Sequence, residues 1–160
     1  MAVPALAASL LTHRVNDQVR KKLGASYGFH ASTGAFADRS VYLRGRAAVD
    51  NAHAPQALAI LKEELAALSS GVDTAELDQT RWTRTLSYAV AYQSTTDLAD
   101  ELLELKNLGL PTSDLDQNIQ DVLSAPAASV TEALRACANA PVIVVTGDES
   151  TVSSAQSTFK

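Results

Sequence analysis

The stretch LLTHRVNDQVRKKLGASYGFHA, residues 10–31, places an amphipathic helix directly before a strand. Apolar residues recur at helical spacing and predict one buried face of a helix over residues 4–22: Leu10, Leu11, Val15 and Val19. Gly24 suits a left-handed cap at the end of that helix. Beyond it, Tyr27, Phe29 and Ala31 alternate with other residues, which is typical of a strand. We therefore predict a helix that leads straight into a sheet.

A second alternating run follows a short polar loop that contains glycine. Its members on one face are Val41, Leu43, Gly45, Ala47 and Val49. Two such runs joined by a short loop predict an antiparallel hairpin. Most of the chain beyond it has helical periodicity, with helices expected over residues 55–70, 73–92, 96–108, 113–123 and 129–139, and a last one from residue 149.

Local signals refine this helical part. Asp73 and Glu76 have the spacing of a capping box, and the segment from Ser129 to Glu132 resembles another. The apolar run from Pro141 to Gly147 predicts a compact buried strand. Three aromatic residues at helical spacing are expected to pack in or near the core: Trp82, Tyr88 and Tyr92. Strands segregated from helices, with no strand–helix–strand repeat, predict an α+β class with an antiparallel sheet packed against a block of helices, in one domain over residues 1–160.

Composition excludes several functional classes. The 160 residues include 13 basic and 18 acidic side chains, for a formal net charge of −5. This acidic balance, without a Lys/Arg cluster, argues against binding to nucleic acid or an anionic membrane. No apolar run approaches the roughly 20 residues that span a bilayer. The single cysteine, Cys137, cannot form an internal disulfide, so cysteine usage does not indicate the redox compartment.

Two catalytic motifs do not fit the sequence around them. Residues 24–28 match the G-x-S-x-G elbow that carries a nucleophilic serine, here Ser26, but the elbow requires a strand before it and a helix after it. Here the helix comes first, so a glycine-capped helix that enters a sheet is the preferred interpretation. The three histidines, His13, His30 and His53, do not have zinc-ligand spacing, and we predict no metal site in this chain.

Arg20 and Tyr27 are the candidate substrate-binding residues. An arginine can donate paired hydrogen bonds to a peptide carbonyl or a carboxylate. A tyrosine hydroxyl can donate to a developing oxyanion. On spacing alone, a surface arginine and a half-buried strand tyrosine remain the better interpretation of this pair.

The same residues carry a resemblance to a family. Leu11, Arg14, Val19–Arg20 and Gly24–Tyr27 resemble the segment written RL…lRe…GasY in insulinase/pitrilysin-type zinc metallopeptidases, in the version found in their C-terminal, zinc-free halves. Further similar pieces follow in chain order and extend the resemblance over essentially the whole chain: Gly45–Val49, Ala57–Leu65, Gly71–Leu77, Ile119–Leu123, Ser129–Glu132 and Val142–Val145.

The resemblance implies a substrate-binding, non-catalytic C-terminal domain. In such peptidases two homologous halves, on one chain or two, close around a peptide chamber, and one half carries H-x-x-E-H and zinc. The other half presents an arginine and a tyrosine to the substrate, and Arg20 and Tyr27 match those positions. We therefore expect zinc in the partner half, no cofactor in this chain, and no peptidase activity from this chain alone.

Three further expectations come from the resemblance. An inactive structural or assembly subunit of the same fold is the alternative function. Because the family's domain normally has a strand before its first helix, we expect a fragment of a longer chain with an unfilled sheet position and an exposed edge. Bacterial members are often exported to the periplasm or beyond, although no residue of this sequence identifies the compartment.

Overall fold

The computed structural model describes residues 2–24, 28–36, 38, 40–139 and 141–158. These residues form seven helices and two strands. In chain order they are α1 (Ala2–Leu23), β1 (Phe29–Ala35), β2 (Val41–Ala47), α2 (Ala54–Ser70), α3 (Thr74–Ala91), α4 (Thr95–Asn107), α5 (Asp114–Ser124), α6 (Ala127–Asn139) and α7 (Glu149–Thr158). The predicted α+β class, an antiparallel sheet packed against helices, is confirmed. No helix in the described residues is long and apolar enough to cross a membrane.

Helix α1 lies at the centre of the fold. It contacts β1, α2, α3, α5 and α6. Its first half carries no charged side chain and is buried on several sides, because alanine allows neighbouring helices to approach closely there. Leu6, Leu10 and Leu11 are fully buried, as are Leu68, Leu77 and Leu134 from the surrounding helices. The last turn, by contrast, consists of exposed basic residues.

The strands form the predicted antiparallel hairpin, in which Phe29 lies opposite Ala47 and Ala35 opposite Val41. The Phe36 amide donates to the Ser40 carbonyl at 2.9 Å and closes the turn. Phe29 and Ala31 are buried against the helices, whereas β2 is exposed over most of its length. The hairpin is thus attached to the helical layer mainly through β1.

The prediction of a buried strand at residues 141–147 is wrong. The segment has no strand pairing with any described residue, and Val142 and Val144 are 92% and 82% exposed. The run is apolar enough for a strand, but strand formation also requires a neighbouring strand that supplies hydrogen bonds. In the described part of the chain no strand lies beside it.

Other local predictions had mixed outcomes. Asp73 caps α3 as expected, since its side chain accepts from the Glu76 amide at 3.0 Å. Helix α6 begins at Ala127, so the capping box predicted at Ser129 is wrong by two residues; the Pro126 carbonyl accepts the first amide protons instead. Tyr88 is buried as predicted, whereas Trp82 is 65% exposed, because its side of α3 has no neighbouring element.

Candidate substrate-binding site

The end of α1 presents three consecutive basic side chains, which favour the negative end of the helix dipole. Lys21 pairs with Asp17, with 2.6 Å between Nζ and Oδ2. Lys22 pairs with Glu63 of α2, at 3.2 Å from Nζ to Oε2. Arg20 is exposed, and within the described residues it forms neither an ion pair nor a hydrogen bond.

The positive charge of Arg20 nevertheless affects the pKa of a neighbouring carboxylate. The hydrogen bond from Lys21 lowers the pKa of Asp17, and the positive charges of Arg20 and, when protonated, His13 add smaller contributions in the same direction. Asp17 is exposed, so solvent screens these interactions and they add little stability. The lowered pKa means that the Asp17 carboxylate, which pairs with Lys21, stays ionised to lower pH than a free carboxylate.

Gly24 ends the helix as predicted. Its φ of +59° lies in the left-handed region that favours glycine. Two residues lie outside the described residues: Ser26, the serine of the rejected G-x-S-x-G match, and Tyr27, the oxyanion donor that the resemblance implies. The proximity of Arg20 to Tyr27 therefore stays a prediction.

A polar stripe on α1 contacts the outer edge of β1. Asn16 makes two hydrogen bonds to one residue: Nδ2 donates to the Phe29 carbonyl at 2.8 Å, and Oδ1 accepts from the Phe29 amide at 2.7 Å. One turn earlier, Thr12 Oγ1 accepts from the Ala31 amide at 2.8 Å. Arg20 follows Asn16 by four residues and so belongs to the same helix face. The stripe was missed in the sequence. Its signal was the four-residue spacing of the polar positions 12, 16 and 20, but other polar residues lie between them and mask that spacing.

The spacing of the stripe residues along α1 matches the spacing of alternate residues along β1. Four residues of helix rise about 6 Å, and two residues of strand rise about 6.6 Å. Thr12 and Asn16 accordingly hold Ala31 and Phe29, which are alternate residues of β1. Arg20 occupies the next position of the helix face, and Tyr27 precedes Phe29 by two residues in the sequence.

Arg14, which also belongs to the resembling motif, has a structural role. Its Nη2 lies 2.6 Å from Glu76 Oε2 of α3, and its Nη1 lies 3.8 Å from Glu64 Oε2 of α2. Hydrogen bonding to Glu76 is the main reason why the pKa of Arg14 is raised. The half-buried guanidinium thus holds α1 against two helices at once.

The histidines form no metal site. His13 and His30 are exposed. His53 precedes α2, and its Nδ1 lies 2.8 Å from both carboxylate oxygens of Asp50, an interaction that lowers the pKa of Asp50. No group of three or more His, Cys, Asp or Glu side chains in the described residues is arranged to hold a metal ion. These side chains therefore do not fit a zinc centre.

Comparisons with known proteins identify a solved structure of similar fold. No protein-family model and no curated protein sequence matches the chain. A solved structure, the peptidase M16 inactive domain from Pseudomonas fluorescens, matches with a TM-score of 0.68 and 20% sequence identity over 84% of this chain. The chain has the fold of an M16 inactive domain. The resemblance to a zinc-free insulinase-type half is thereby confirmed at the level of fold. The match covers 33% of the solved chain, so this protein spans about a third of its length.

Proposed function

We propose that this chain is a non-catalytic, substrate-binding domain of a zinc metallopeptidase, paired with a homologous zinc-bearing half. The likeness to an M16 inactive domain is the observation that carries the proposal. The zinc of the other half would supply the activated water. The residues of this chain would bind and orient the peptide in the chamber between the halves.

In this proposal Arg20 anchors the peptide and Tyr27 donates a hydrogen bond to the oxyanion. The exposed guanidinium of Arg20, without a partner among the described residues, supports the first role. Its position next to Asn16 on the helix face that holds β1 supports a shared site with Tyr27. Both groups would contribute most where charge develops on the peptide carbonyl.

Hydrolysis of a quenched peptide library tests the pairing. The chain is assayed with zinc alone and again after a zinc-bearing half has been added. We expect no turnover from the chain alone and turnover from the pair. Activity of the chain alone would contradict the proposal and would return attention to Ser26.

Substitutions in the active pair test the two residues. Arg20→Ala and Tyr27→Phe should each lower kcat/KM by about 10- to 100-fold, the loss expected for one charge-assisted hydrogen bond in the transition state, with zinc content unchanged. Lys21→Ala is the matched control, because it removes the neighbouring positive charge, which is already paired with Asp17. Wild-type turnover in both Arg20→Ala and Tyr27→Phe would refute these roles.

An exposed apolar stripe supports the alternative, a structural or assembly subunit. Trp82, Leu86 and Val90 follow one another at helical spacing on α3 and are 65%, 61% and 68% exposed. Such stripes are often covered by a partner. If this alternative holds, Trp82→Ala should abolish co-purification with the partner, while Arg20→Ala and Tyr27→Phe leave turnover unchanged.

A further inference from the structure

Positive charge is unevenly distributed along this acidic chain. Residues 1–46 contain seven of the 13 Lys and Arg side chains but only two of the 18 Asp and Glu side chains. The rest of the chain is correspondingly acidic. The formal net charge of −5 therefore conceals a basic part, which consists of the end of α1 and the hairpin.

Three arginines of this basic part have no partner. Within the described part of the chain, Arg20, Arg44 and Arg46 form neither an ion pair nor a hydrogen bond. The other arginines that the structure describes each contact a carboxylate or a hydroxyl group: Arg14, Arg81, Arg84 and Arg135. The unpaired guanidinium groups of the described residues thus lie on the hairpin and at the end of α1.

Pairing of the two strands brings cationic side chains together on one face of the hairpin. Phe29 and Ala31 are buried against the helices, so the even-numbered strand residues face away from the helices. On that face His30 lies opposite Arg46, and Arg44 follows two residues away on β2. All three are exposed. We call His30, Arg44 and Arg46 the outer basic face; they come from two strands, so no continuous run in the sequence contains them.

The outer basic face departs from the usual charge pattern of a sheet. Opposite charges on neighbouring strands stabilise a sheet, and like charges destabilise it. The hairpin residues that the structure describes include one carboxylate, Asp38. It accepts hydrogen bonds from the amide and the hydroxyl of Ser40 in the turn, so it does not neutralise the arginines. A local rule that a fold breaks without compensation commonly marks a functional site.

Two exposed aromatic rings continue the same face toward the turn. Tyr42 lies opposite Gly34, and its ring occupies the space that a Cβ atom at Gly34 would need. The ring of Phe36 packs against that of Tyr42, with 5.1 Å between the centroids. The two residues are 57% and 41% exposed, Phe36 being the more exposed. Alternate residues of β2 therefore present two cations and then an apolar surface.

We propose that the outer basic face binds acidic side chains of an extended peptide substrate. Arg44 and Arg46 are alternate strand residues, so their Cα atoms lie about 6.6 Å apart. Alternate residues of an extended peptide have the same spacing, so carboxylates at positions i and i+2 can pair with both guanidinium groups. The rings of Tyr42 and Phe36 would contact an apolar residue at the next alternate position. This inference rests on the proposed function, because it assigns a specificity to the peptide that the domain would bind.

The outer basic face adjoins the candidate substrate-binding site. His30 follows Phe29, whose backbone bonds to the Asn16 side chain, and Arg46 lies opposite His30. Arg20 is one turn beyond Asn16 on the same helix face. A peptide anchored by Arg20 would therefore reach the hairpin at the end that carries the cations. A long polyanion such as nucleic acid fits less well, because the acidic remainder of the chain would repel it.

Binding of short peptides to the 160-residue chain tests the inference directly. The probe is a heptapeptide with blocked ends, leucine at both ends, glutamate at positions three and five, and serine elsewhere. We expect saturable shifts of the amide resonances of His30, Arg44 and Arg46 in NMR spectra. A peptide with lysine for glutamate should bind at least tenfold more weakly. A peptide with adjacent glutamates, which face opposite sides when extended, should bind about two- to fivefold more weakly, the range of one exposed ion pair.

Variants of the chain locate the contact. Arg44→Gln and Arg46→Gln should each weaken binding of the glutamate peptide about two- to fivefold. Lys106→Gln is the matched control, because it removes an exposed positive charge of α4 that has no partner among the described residues, and it should change binding less than about 1.5-fold. The double variant Arg44→Glu/Arg46→Glu should reverse the preference and favour the lysine peptide. In the active pair with a zinc-bearing half, the same reversal should appear in kcat/KM for quenched glutamate and lysine peptides.

The outcomes separate this inference from the proposed function. Absence of turnover of every quenched peptide by the pair would contradict the proposed function, even if the glutamate peptide binds the outer basic face. Turnover without preference for glutamate over lysine would overturn the inference and leave the proposed function standing. Equal binding of both peptides to the chain, or shifts confined to other amides, would also overturn it. Tighter binding of an oligothymidylate of the same charge would assign the face to nucleic acid instead.

Discussion

The strands β1 and β2 have equal length and pair residue for residue, yet their outer edges have different neighbours. The edge of β1 is closed by α1, where Asn16 and Thr12 satisfy the backbone of Phe29 and Ala31. The edge of β2 borders an open groove of about 1180 Å³ between β2 and residues 141–146, and no described residue bonds to its outward backbone groups. Both edges belong to one hairpin, but described residues satisfy the outward hydrogen-bonding groups of β1 only.

The comparison shows how a helix can end a sheet. An unpaired strand edge invites pairing with another chain, and proteins commonly block it with charge, proline or a covering element. Here two side chains at one-turn spacing imitate a neighbouring strand by offering an acceptor and a donor–acceptor pair. Among the described residues, the exposed edge of β2 has no such block.

Replacing the side-chain amide of Asn16, which bonds to the outer edge of β1, should produce the largest loss of stability. Asn16→Leu leaves both the amide and the carbonyl of Phe29 without a partner, and Phe29 is a buried residue. We expect a loss of about 2–4 kcal/mol in the free energy of unfolding, because each unsatisfied buried group costs roughly 1–3 kcal/mol. Urea denaturation followed by circular dichroism measures it.

Gln18→Leu is the control for this loss. It makes a comparable polar-to-apolar change two residues away on α1, where no hydrogen bond of the side chain is present among the described residues. Its effect should stay within about 0.5 kcal/mol. Equal stability of the two variants would mean that α1 does not close the edge of β1.

A smaller effect is expected one turn earlier on the same stripe. Thr12→Val keeps the shape of the side chain and removes the single acceptor of the Ala31 amide. The loss should be about 1–2 kcal/mol, since one amide loses its partner instead of an amide and a carbonyl.

Thr80→Val is the matched substitution. Thr80 Oγ1 donates to the Glu76 carbonyl within α3, a bond that adds little to a helix. Thr80→Val should be neutral within about 0.5 kcal/mol. If Thr12→Val is equally neutral, Asn16 alone closes the edge.

The features that were predicted correctly from the sequence depend on residues close together in the chain. The apolar face of α1, the cap at Gly24 and the box from Asp73 to Glu76 are all encoded within a few residues, and each is confirmed. The hairpin belongs to the same group, because its alternation and short loop are local signals. The exposure of Arg20 also follows from its place beyond the apolar part of α1.

The predictions that were wrong concern features that depend on contacts between distant parts of the chain. Residues 141–147 have the composition of a buried strand, but a strand exists only if another supplies its hydrogen bonds. The position of Trp82 on a helix does not indicate whether a second element covers that face, and it is exposed. The roles proposed for Arg20 and Tyr27 would involve a partner half, and they come from the resemblance to a family, since residue type and spacing alone do not predict them.

The smallest expected effect concerns the exposed valines of residues 141–147. Val142 and Val144 are almost fully exposed, so Val142→Thr and Val144→Thr together should change the free energy of unfolding by less than about 0.5 kcal/mol. Val122→Thr applies the same change to a fully buried side chain of α5 and should cost roughly 1–3 kcal/mol, because it buries a hydroxyl without a partner. Thermal and urea denaturation of the three proteins measure the contrast. A loss above 1 kcal/mol in the double variant would mean that these valines are already covered in the free chain.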